Sequence, residues 1–347
     1  MSKNYYLPDF YTSEPGFNAT NKSKNDLLTI YKEMDITPFN DLTLTLESKR
    51  QNNPKTNSRL LDGYVDSIVK DIGTRCEKGD AIFMDYPFAV KFSGYRRIVL
   101  KAKQSGVKII FIIHEIGGAK GPDLLYRYAD EVVLNYAHCL ISASKEMTKK
   151  LRDDLQVEDR IKSVTYNYWD YLCDDVENDN RNALLCYAGN LSSVSFLSKL
   201  PKSLNGSGVN LYGQGMSAGY KGTYKGEFDP KELVSVMDGK YGLIWDGKRT
   251  DTCDEIVGDS MRINVSHKFS LYMAAKKPVI VWKDSALSNL VTSKKLGFTI
   301  DSLEEIPYLL SRTNLYEYEE MVQNVSEIRN GIISGDHFKG VIRNSLT

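Results

Sequence analysis

His267 and Lys268 are two consecutive basic residues at a point where a helix is predicted to begin. Ser266 before them is a suitable N-cap, and FSLYMAA after them carries apolar residues at the i, i+3, i+4 spacing of a helix face. Cations at a helix start normally cost about 0.3–1 kcal/mol each. A phosphate would reverse that cost, because it would be held by the basic pair and the free backbone N–H groups together. The alternative is a solvated lysine beside a half-buried histidine.

Two loops are further candidates for phosphate or ligand contact. In CYAGNLSSVSFL, residues 186–197, a strand is predicted to end at the Gly189-Asn190 pair, and a helical pattern begins near Ser192 or Ser193. Glycine allows a sharp turn and a close approach to a ligand. In GFNATNKSKND, residues 16–26, Asn18 and Ala19 could present backbone donors to a phosphate. A plain βα turn and a helix-capping loop are the structural alternatives.

A third group of residues could act on an acceptor. KIIFIIHEIGG, residues 108–118, is an apolar strand that ends in His114 and Glu115, and Asp85 follows the predicted strand at 80–84. Ligand groups gather at the carboxyl ends of parallel strands, so these three side chains are candidates for a general base. They could equally be a hydrogen-bonded strand end and a turn cap.

Several other chemistries lack their motifs. The sequence has no G-x-x-x-x-G-K-[ST] and no Asp-x-Asp pair, and its four histidines are far apart. The glycines of YGQGMSAGYKG are one residue too widely spaced for a dinucleotide fingerprint. We therefore expect no metal and no cofactor.

Composition narrows the class of protein. The 347 residues include 45 Lys and Arg against 45 Asp and Glu, so the net charge of zero argues against a nucleic-acid-binding protein. No signal peptide or membrane-spanning run is found, and the odd number of cysteines without C-x-x-C fits a reducing compartment. These features predict a cytoplasmic protein; work near a membrane surface and a homo-oligomeric state stay open.

Short β-type runs alternate with helical patterns along the whole chain, which is typical of α/β folds with parallel sheets. The pattern breaks at residues 166–183, an aromatic and then acidic stretch that we interpret as a linker. We predict two Rossmann-like domains that face a cleft, an N-terminal acceptor-side domain at 1–165 and a C-terminal nucleotide-sugar-binding domain at 184–312. The helices at 313–347 are expected to cross back to the first domain.

Five segments together resemble the GT-B glycosyltransferases. They are KIIFIIHEIGG, SASKEMTKKL, AGNLSSVSFL, YGLIWDG and SHKFSLYMAAKKPVIVW. Within that group they are similar to a bacterial subfamily that contains the third glycosyltransferase of serine-rich-repeat adhesin glycosylation and galactofuranosyltransferases of polysaccharide synthesis.

This resemblance implies a UDP-sugar site. It places the diphosphate and ribose at Ser266, His267, Lys268, Phe269, Ser270 and Leu271, the uracil at Phe228, and Ala19 across the cleft. Ser193 stands where relatives can carry a basic residue, His267 where some carry tyrosine, and Phe228 where they have tyrosine. These departures leave the nucleotide site in place but put the identity of the sugar in doubt.

The predicted function is metal-independent transfer of a hexose, glucose or galactofuranose, from a UDP-sugar to a hydroxyl on a glycan of a glycoprotein or polysaccharide. Two alternatives remain at this point. One is a non-catalytic, glycosyltransferase-like subunit that binds the acceptor. The other is a GT-B-fold epimerase of UDP-sugars, which would need carboxylates placed in the cleft.

Overall fold

The computed structural model describes residues 2–7, 19–39, 54–87, 92–116, 131–204, 208–253 and 256–347. The chain forms two compact units. Unit 1 contains Met1–Pro15, Leu27–Tyr166 and Lys339–Thr347, and unit 2 contains Gly16–Asp26 and Asn167–Phe338.

Unit 1 is built on a parallel sheet, which has six strands in the described ranges. The strands are β1 (Asn4–Tyr6), β2 (Thr37–Pro38), β3 (Ala81–Tyr86), β4 (Lys108–Ile113), β5 (Cys139–Ser142) and β6 (Lys162–Thr165), in the order β2-β1-β3-β4-β5-β6. Its helices are α1 (Ala19–Glu33, shared with unit 2), α2 (Pro54–Arg75), α3 (Phe92–Ser105) and α4 (Lys145–Asp153). The apolar runs at 80–84, 108–113 and 139–142 predict strands and correspond to β3, β4 and β5, which are almost entirely buried.

Unit 2 has a second sheet, in which six parallel strands are described. These are β7 (Leu185–Ala188), β8 (Val209–Tyr212), β9 (Thr223–Gly226), β10 (Tyr241–Ile244), β11 (Val279–Trp282) and β12 (Gly297–Ile300), in the order β12-β11-β10-β7-β8-β9. The chain moves outward from β7 to β9 and then returns to the other side of β7. This reversal places a topological switch point between β7 and β10, where α/β proteins bind their ligands.

Seven α-helices follow in this half of the described chain. They are α5 (Pro230–Val236), α6 (Ile256–Ile263), α7 (His267–Ala274), α8 (Ser288–Ser293), α9 (Ile306–Arg312), α10 (Leu315–Ser334) and α11 (Asp336–Leu346). The start of α7 confirms the sequence prediction, because the Ser266 side chain accepts a hydrogen bond from the Lys268 amide.

Tyr272 fixes α7 on the sheet of unit 2. Its hydroxyl accepts a hydrogen bond from the Ala188 amide at 3.0 Å and donates one to the Leu243 carbonyl at 3.1 Å. Gly242 makes room for the ring, since a Cβ at that position would lie 2.3 Å from the Tyr272 Cγ. At the other end of α7, the buried Arg329 donates from Nε to the Ala274 carbonyl.

Two sequence expectations were wrong in this part of the fold. The helix expected after Asn190 is a pair of 3₁₀ turns, Leu191–Ser193 and Ser195–Lys199, because the Asn190 side chain accepts from the Ser192 amide and closes a tight turn instead. The second is at 303–310, where the helical pattern of LEEIPYLL predicts one continuous helix and the structure has a 3₁₀ turn followed by α9.

The segment predicted as a linker has neither helix nor strand, and it packs closely on unit 2. Asn178 is 3% exposed and its side chain donates to the carbonyls of Val234 and Met237. Lys277, which is fully buried, donates to oxygens of Asn178 and Asn180. These contacts tie residues 178–180 to the rest of unit 2.

Candidate functional site

A cavity of about 290 Å³ opens in unit 2 beside the carboxyl ends of β7, β8 and β9 and the start of α7. We call it the unit 2 cavity. It is lined by Lys22, Tyr171, Ala188, Gly189, Asn190, Tyr212, Gly213, Gln214, Glu227, Phe228, Pro230, Leu233, Ser266, His267, Lys268 and Leu271. The predicted residues Phe228, Ser266, His267, Lys268 and Leu271 therefore come together around one cavity.

Two glycines bring the backbone close together at one end of this cavity. Gly189 and Gly213 have φ of +149° and +124°, a region that favours glycine. A Cβ on Gly213 would lie 1.9 Å from the Gly189 carbonyl oxygen. The amides of both glycines donate within the backbone, to Tyr212 and Gly226. These glycines therefore allow two backbone segments to approach each other closely. The positive charge that would attract an anion comes from the lysines and the start of α7.

Lys268 is the cation at this end, and it is held in place before any ligand arrives. Its Nζ lies 3.3 and 3.4 Å from the two carboxylate oxygens of Asp246 and 5.4 Å from the centre of the Tyr187 ring. The Tyr187 hydroxyl donates to Asp246 at 3.3 Å. Asp246 is the second residue after β10. A phosphate near Lys268 would share the ammonium with this carboxylate.

His267 does not act as the second cation that the sequence predicted. Burial, with a smaller effect of the Lys22 charge, lowers the pKa of His267 to about 3, so the ring is neutral at physiological pH. Its Nε2 is buried without a hydrogen-bond partner among the described residues, and its ring lies 5.3 Å from that of Tyr171. Only Lys268 of the predicted basic pair carries charge.

The second cation comes from Lys22, which sequence reasoning missed. It is 7% exposed, pairs with Asp26, donates to the Leu172 carbonyl at 2.8 Å, and lies 4.3 Å from the centre of the Tyr171 ring. Burial lowers the pKa of Lys22 and raises that of Asp26, and their mutual attraction opposes both shifts. The i, i+4 spacing of opposite charges at the start of α1 was the available signal.

The other end of the cavity is lined mostly by apolar side chains, with Lys22 beside it at Tyr171. Phe228 lies 6.1 Å from Tyr212 between ring centres, and Pro230, Leu233 and Leu271 complete this wall. The Tyr171 hydroxyl donates to the Pro230 carbonyl at 2.7 Å and so joins the aromatic residues. A flat, largely apolar group such as a nucleobase suits this end.

The remaining predicted donor-site residues lie elsewhere. Ser193 ends a 3₁₀ turn, is exposed and does not line the cavity. Its part in a donor site stays a prediction. Phe269 is buried against Tyr168, and Ser270 is buried with its hydroxyl donating to the Trp169 carbonyl. Both side chains therefore pack on the segment at 166–183, and neither lines the cavity.

Only one residue of the predicted pair at 18–19 lies among the residues that the structure describes. Asn18 lies outside the described residues. Ala19 begins α1, and its backbone is described without its side chain. Their part in a ligand site stays a prediction.

The acceptor-side candidates lie in unit 1. Asp85 is near the end of β3, and His114 and Glu115 follow β4, the adjacent strand. His114 Nε2 is 2.9 Å from Asp85 Oδ1, which brings these two together as an acid–base pair. Glu115 is exposed. A carboxylate bonded to one imidazole nitrogen orients the ring, as in other general-base pairs.

Within the ranges described, no three His, Cys, Asp or Glu side chains are grouped as a metal site would require. Metal independence stays a prediction. None of the described helices combines the length and apolar character needed to cross a bilayer.

Each unit of this chain is an α/β unit built on a parallel sheet, and unit 2 has a cavity at the carboxyl ends of its strands. This is the architecture of the GT-B class of glycosyltransferases. The models described as "Glucosyltransferase 3-like, N-terminal domain" and "Glucosyltransferase 3-like, C-terminal domain" match residues 4–161 and 185–345. Together they span most of the chain, which belongs to this Glucosyltransferase 3-like family.

Named relatives agree with this assignment. The β-1,6-galactofuranosyltransferase WbbI of Escherichia coli is 28% identical over 86% of this chain and 90% of its own length. Glucosyltransferase 3 of Streptococcus gordonii is 25% identical over 87% of this chain and 86% of its own. HepE of Anabaena, solved in complex with UDP, has the same fold, with a TM-score of 0.61, 13% identity and 99% coverage of both chains.

Proposed function

We propose that this protein transfers a hexose, glucose or galactofuranose, from a UDP-sugar to a hydroxyl of an existing glycan on a glycoprotein or polysaccharide. The observation that carries this proposal is the unit 2 cavity, where Lys268 and two closely approaching glycines share the lining with apolar side chains such as Phe228, beside a switch point. The names of WbbI and Glucosyltransferase 3 supply the two candidate sugars, and the UDP complex of HepE supplies the donor class.

The proposed binding mode follows the chemistry of the two ends. The diphosphate takes the end formed by Gly189, Gly213 and Lys268, where the backbone leaves space and the ammonium supplies charge. The uracil takes the end formed by Phe228 and Leu233. A nucleoside diphosphate has this same order of charged and apolar groups.

Lys268 and the start of α7 would then assist the departure of UDP. As the bond from the sugar to the diphosphate breaks, negative charge grows on the leaving oxygen. A fixed ammonium and the positive end of a helix stabilise that charge without rearrangement. The Asp246 contact holds the ammonium in position for this purpose.

The acceptor hydroxyl needs a group that orients it or takes its proton. The Asp85–His114 pair in unit 1 is the proposed candidate, with Glu115 as the third. In this pair the carboxylate would stabilise the imidazolium that forms when His114 takes the proton.

Thermal shift and product analysis together test the donor and the reaction. UDP, UDP-glucose, UDP-galactofuranose and UDP-N-acetylglucosamine would each be added to the full-length protein, and the products formed on glycan acceptors would be identified by mass spectrometry. A ligand at 100 times its dissociation constant should stabilise the fold by about 2.7 kcal/mol.

The expected result is stabilisation by UDP and by one hexose donor, with an acceptor that gains 162 Da, roughly the mass of one anhydrohexose, only with that donor. Stabilisation by UDP-sugars without a glycosylated product, in the presence of the matching acceptor, would favour the non-catalytic subunit. Conversion of one UDP-sugar to its epimer would favour the epimerase. No response to any uridine nucleotide would overturn the proposal.

A further inference from the structure

Glu227 is a carboxylate in a cavity whose other described charged lining groups, Lys22 and Lys268, are cations. It lies in the turn after β9, and the Gln214 side-chain amide donates a hydrogen bond to it. An exposed carboxylate beside a phosphate site weakens anion binding. We therefore expect Glu227 to contact a part of the ligand other than the phosphates. Neither its position nor its charge is used by the function proposed above.

The position of the Gln214–Glu227 pair along the cavity indicates which group that is. Gln214 directly follows Gly213, at the end where the backbones approach closely. Glu227 directly precedes Phe228, at the apolar end. The pair is therefore adjacent in the chain both to the glycine proposed to approach the diphosphate and to the ring proposed to contact the uracil. In a nucleoside diphosphate, the group between the phosphates and the base is the ribose.

Carboxylates and ribose are chemically matched. An ionised carboxylate only accepts hydrogen bonds, and its two oxygens can take both hydroxyl protons of a cis-diol. In dinucleotide-binding folds an acidic residue reads the ribose 2′-hydroxyl in this manner. Gln214 limits the motion of the Glu227 side chain, so part of its rotamer freedom is already lost before a ligand binds.

We propose that Glu227, oriented by Gln214, accepts hydrogen bonds from the ribose hydroxyls and makes the site selective for ribonucleotides over deoxyribonucleotides. This inference rests on the proposed function, because it assumes that a nucleoside diphosphate occupies the unit 2 cavity. It adds a specificity-determining residue that no basic or aromatic motif in the sequence indicated.

The test compares the affinities of UDP, 2′-deoxy-UDP and 3′-deoxy-UDP by isothermal titration calorimetry. In the wild-type protein we expect UDP to bind roughly tenfold more tightly than at least one deoxy form, the scale of one hydrogen bond to a charged acceptor. In Glu227→Gln that preference should fall to about twofold or less. UDP itself should bind the variant about as well or better, because a negative charge near the diphosphate has been removed.

Two further variants make the comparison specific. Glu232→Gln removes an equal charge from α5, a few residues away, at an exposed side chain that does not line the cavity, and it should keep the wild-type preference. Gln214→Leu should reduce the preference in part, since the carboxylate remains but loses its partner.

Three results would decide against the inference. A wild-type protein that binds UDP and both deoxy forms equally well would overturn it, as would an unchanged preference in Glu227→Gln. Either result would leave the proposed donor site standing, because UDP binding itself would be intact. A wild-type protein that binds no uridine nucleotide would instead overturn the proposed function and this inference with it.

Discussion

Replacing Lys268 with alanine should weaken UDP binding by about 2 kcal/mol or more, which is roughly 30-fold in the dissociation constant. A phosphate about 4 Å from the ammonium gains about 4 kcal/mol at an effective dielectric constant near 20. The Lys268 side chain is 18% exposed and Asp246 22%, so water reduces this gain, and we take half of it.

Asp246 adds a second effect to the same variant. Asp246 does not line the cavity, but its carboxylate contacts Lys268 and is 22% exposed. Without Lys268, the negative charge of this carboxylate would repel a phosphate at that end. The double variant Lys268→Ala with Asp246→Asn should therefore recover part of the loss, about fivefold, and Asp246→Asn alone should not weaken UDP binding. These losses in UDP affinity should become smaller as the salt concentration is raised.

Isothermal titration calorimetry at two salt concentrations measures all of these affinities. Lys283→Ala is the matched control, because Lys283 also pairs with an aspartate, Asp301, yet does not line the cavity. If Lys268→Ala bound UDP within threefold of the wild-type protein, the assignment of the diphosphate to this end of the cavity would be wrong.

Three other outcomes are expected. Asp85→Asn or His114→Ala should lower transfer by roughly 10²–10⁴-fold while UDP affinity stays unchanged, with Glu115→Gln as the third candidate; near-normal transfer by all three would place the base elsewhere. His267 has its pKa lowered to about 3, so the folded state resists a proton that the unfolded state takes below about pH 6.5. Between pH 7 and pH 5 the wild-type protein should lose about 1–2 kcal/mol of stability relative to His267→Phe, and urea unfolding at both pH values that shows equal losses would contradict this neutral histidine. Transfer should survive EDTA, and a loss of activity that only added Mg²⁺ or Mn²⁺ restores would refute metal independence.

The sequence was most informative where local and tertiary forces agree. The helix that starts at His267 was predicted from its cap and its apolar spacing, and both are real in α7. β4 was predicted because a run of five apolar residues after Lys108, four of them β-branched, is buried on both faces. Short edge strands such as β2, with two exposed residues, carry no such pattern and were missed.

The charge states of the side chains in the site could not be predicted from the sequence in the same way. His267 looks basic in the sequence, but its protonation depends on burial by Tyr171 and on Lys22, which is 245 positions earlier in the chain. Asp246 was visible at the end of a buried strand, yet its pairing with Lys268 depends on the packing of α7 beside β10. Such contacts between distant segments set both the charges and the geometry of the cavity.

The Tyr272 hydroxyl, which joins β7 to β10 across the switch point, has a consequence for ligand binding. One phenol oxygen is bonded to two strands, and its ring packs directly on Gly242. These contacts fix the register of α7 on the sheet, so the proposed diphosphate would meet a helix start that is already in place. Adaptation to a new donor sugar would then have to come from residues outside α7, and an engineered library aimed at sugar specificity should leave α7 unchanged.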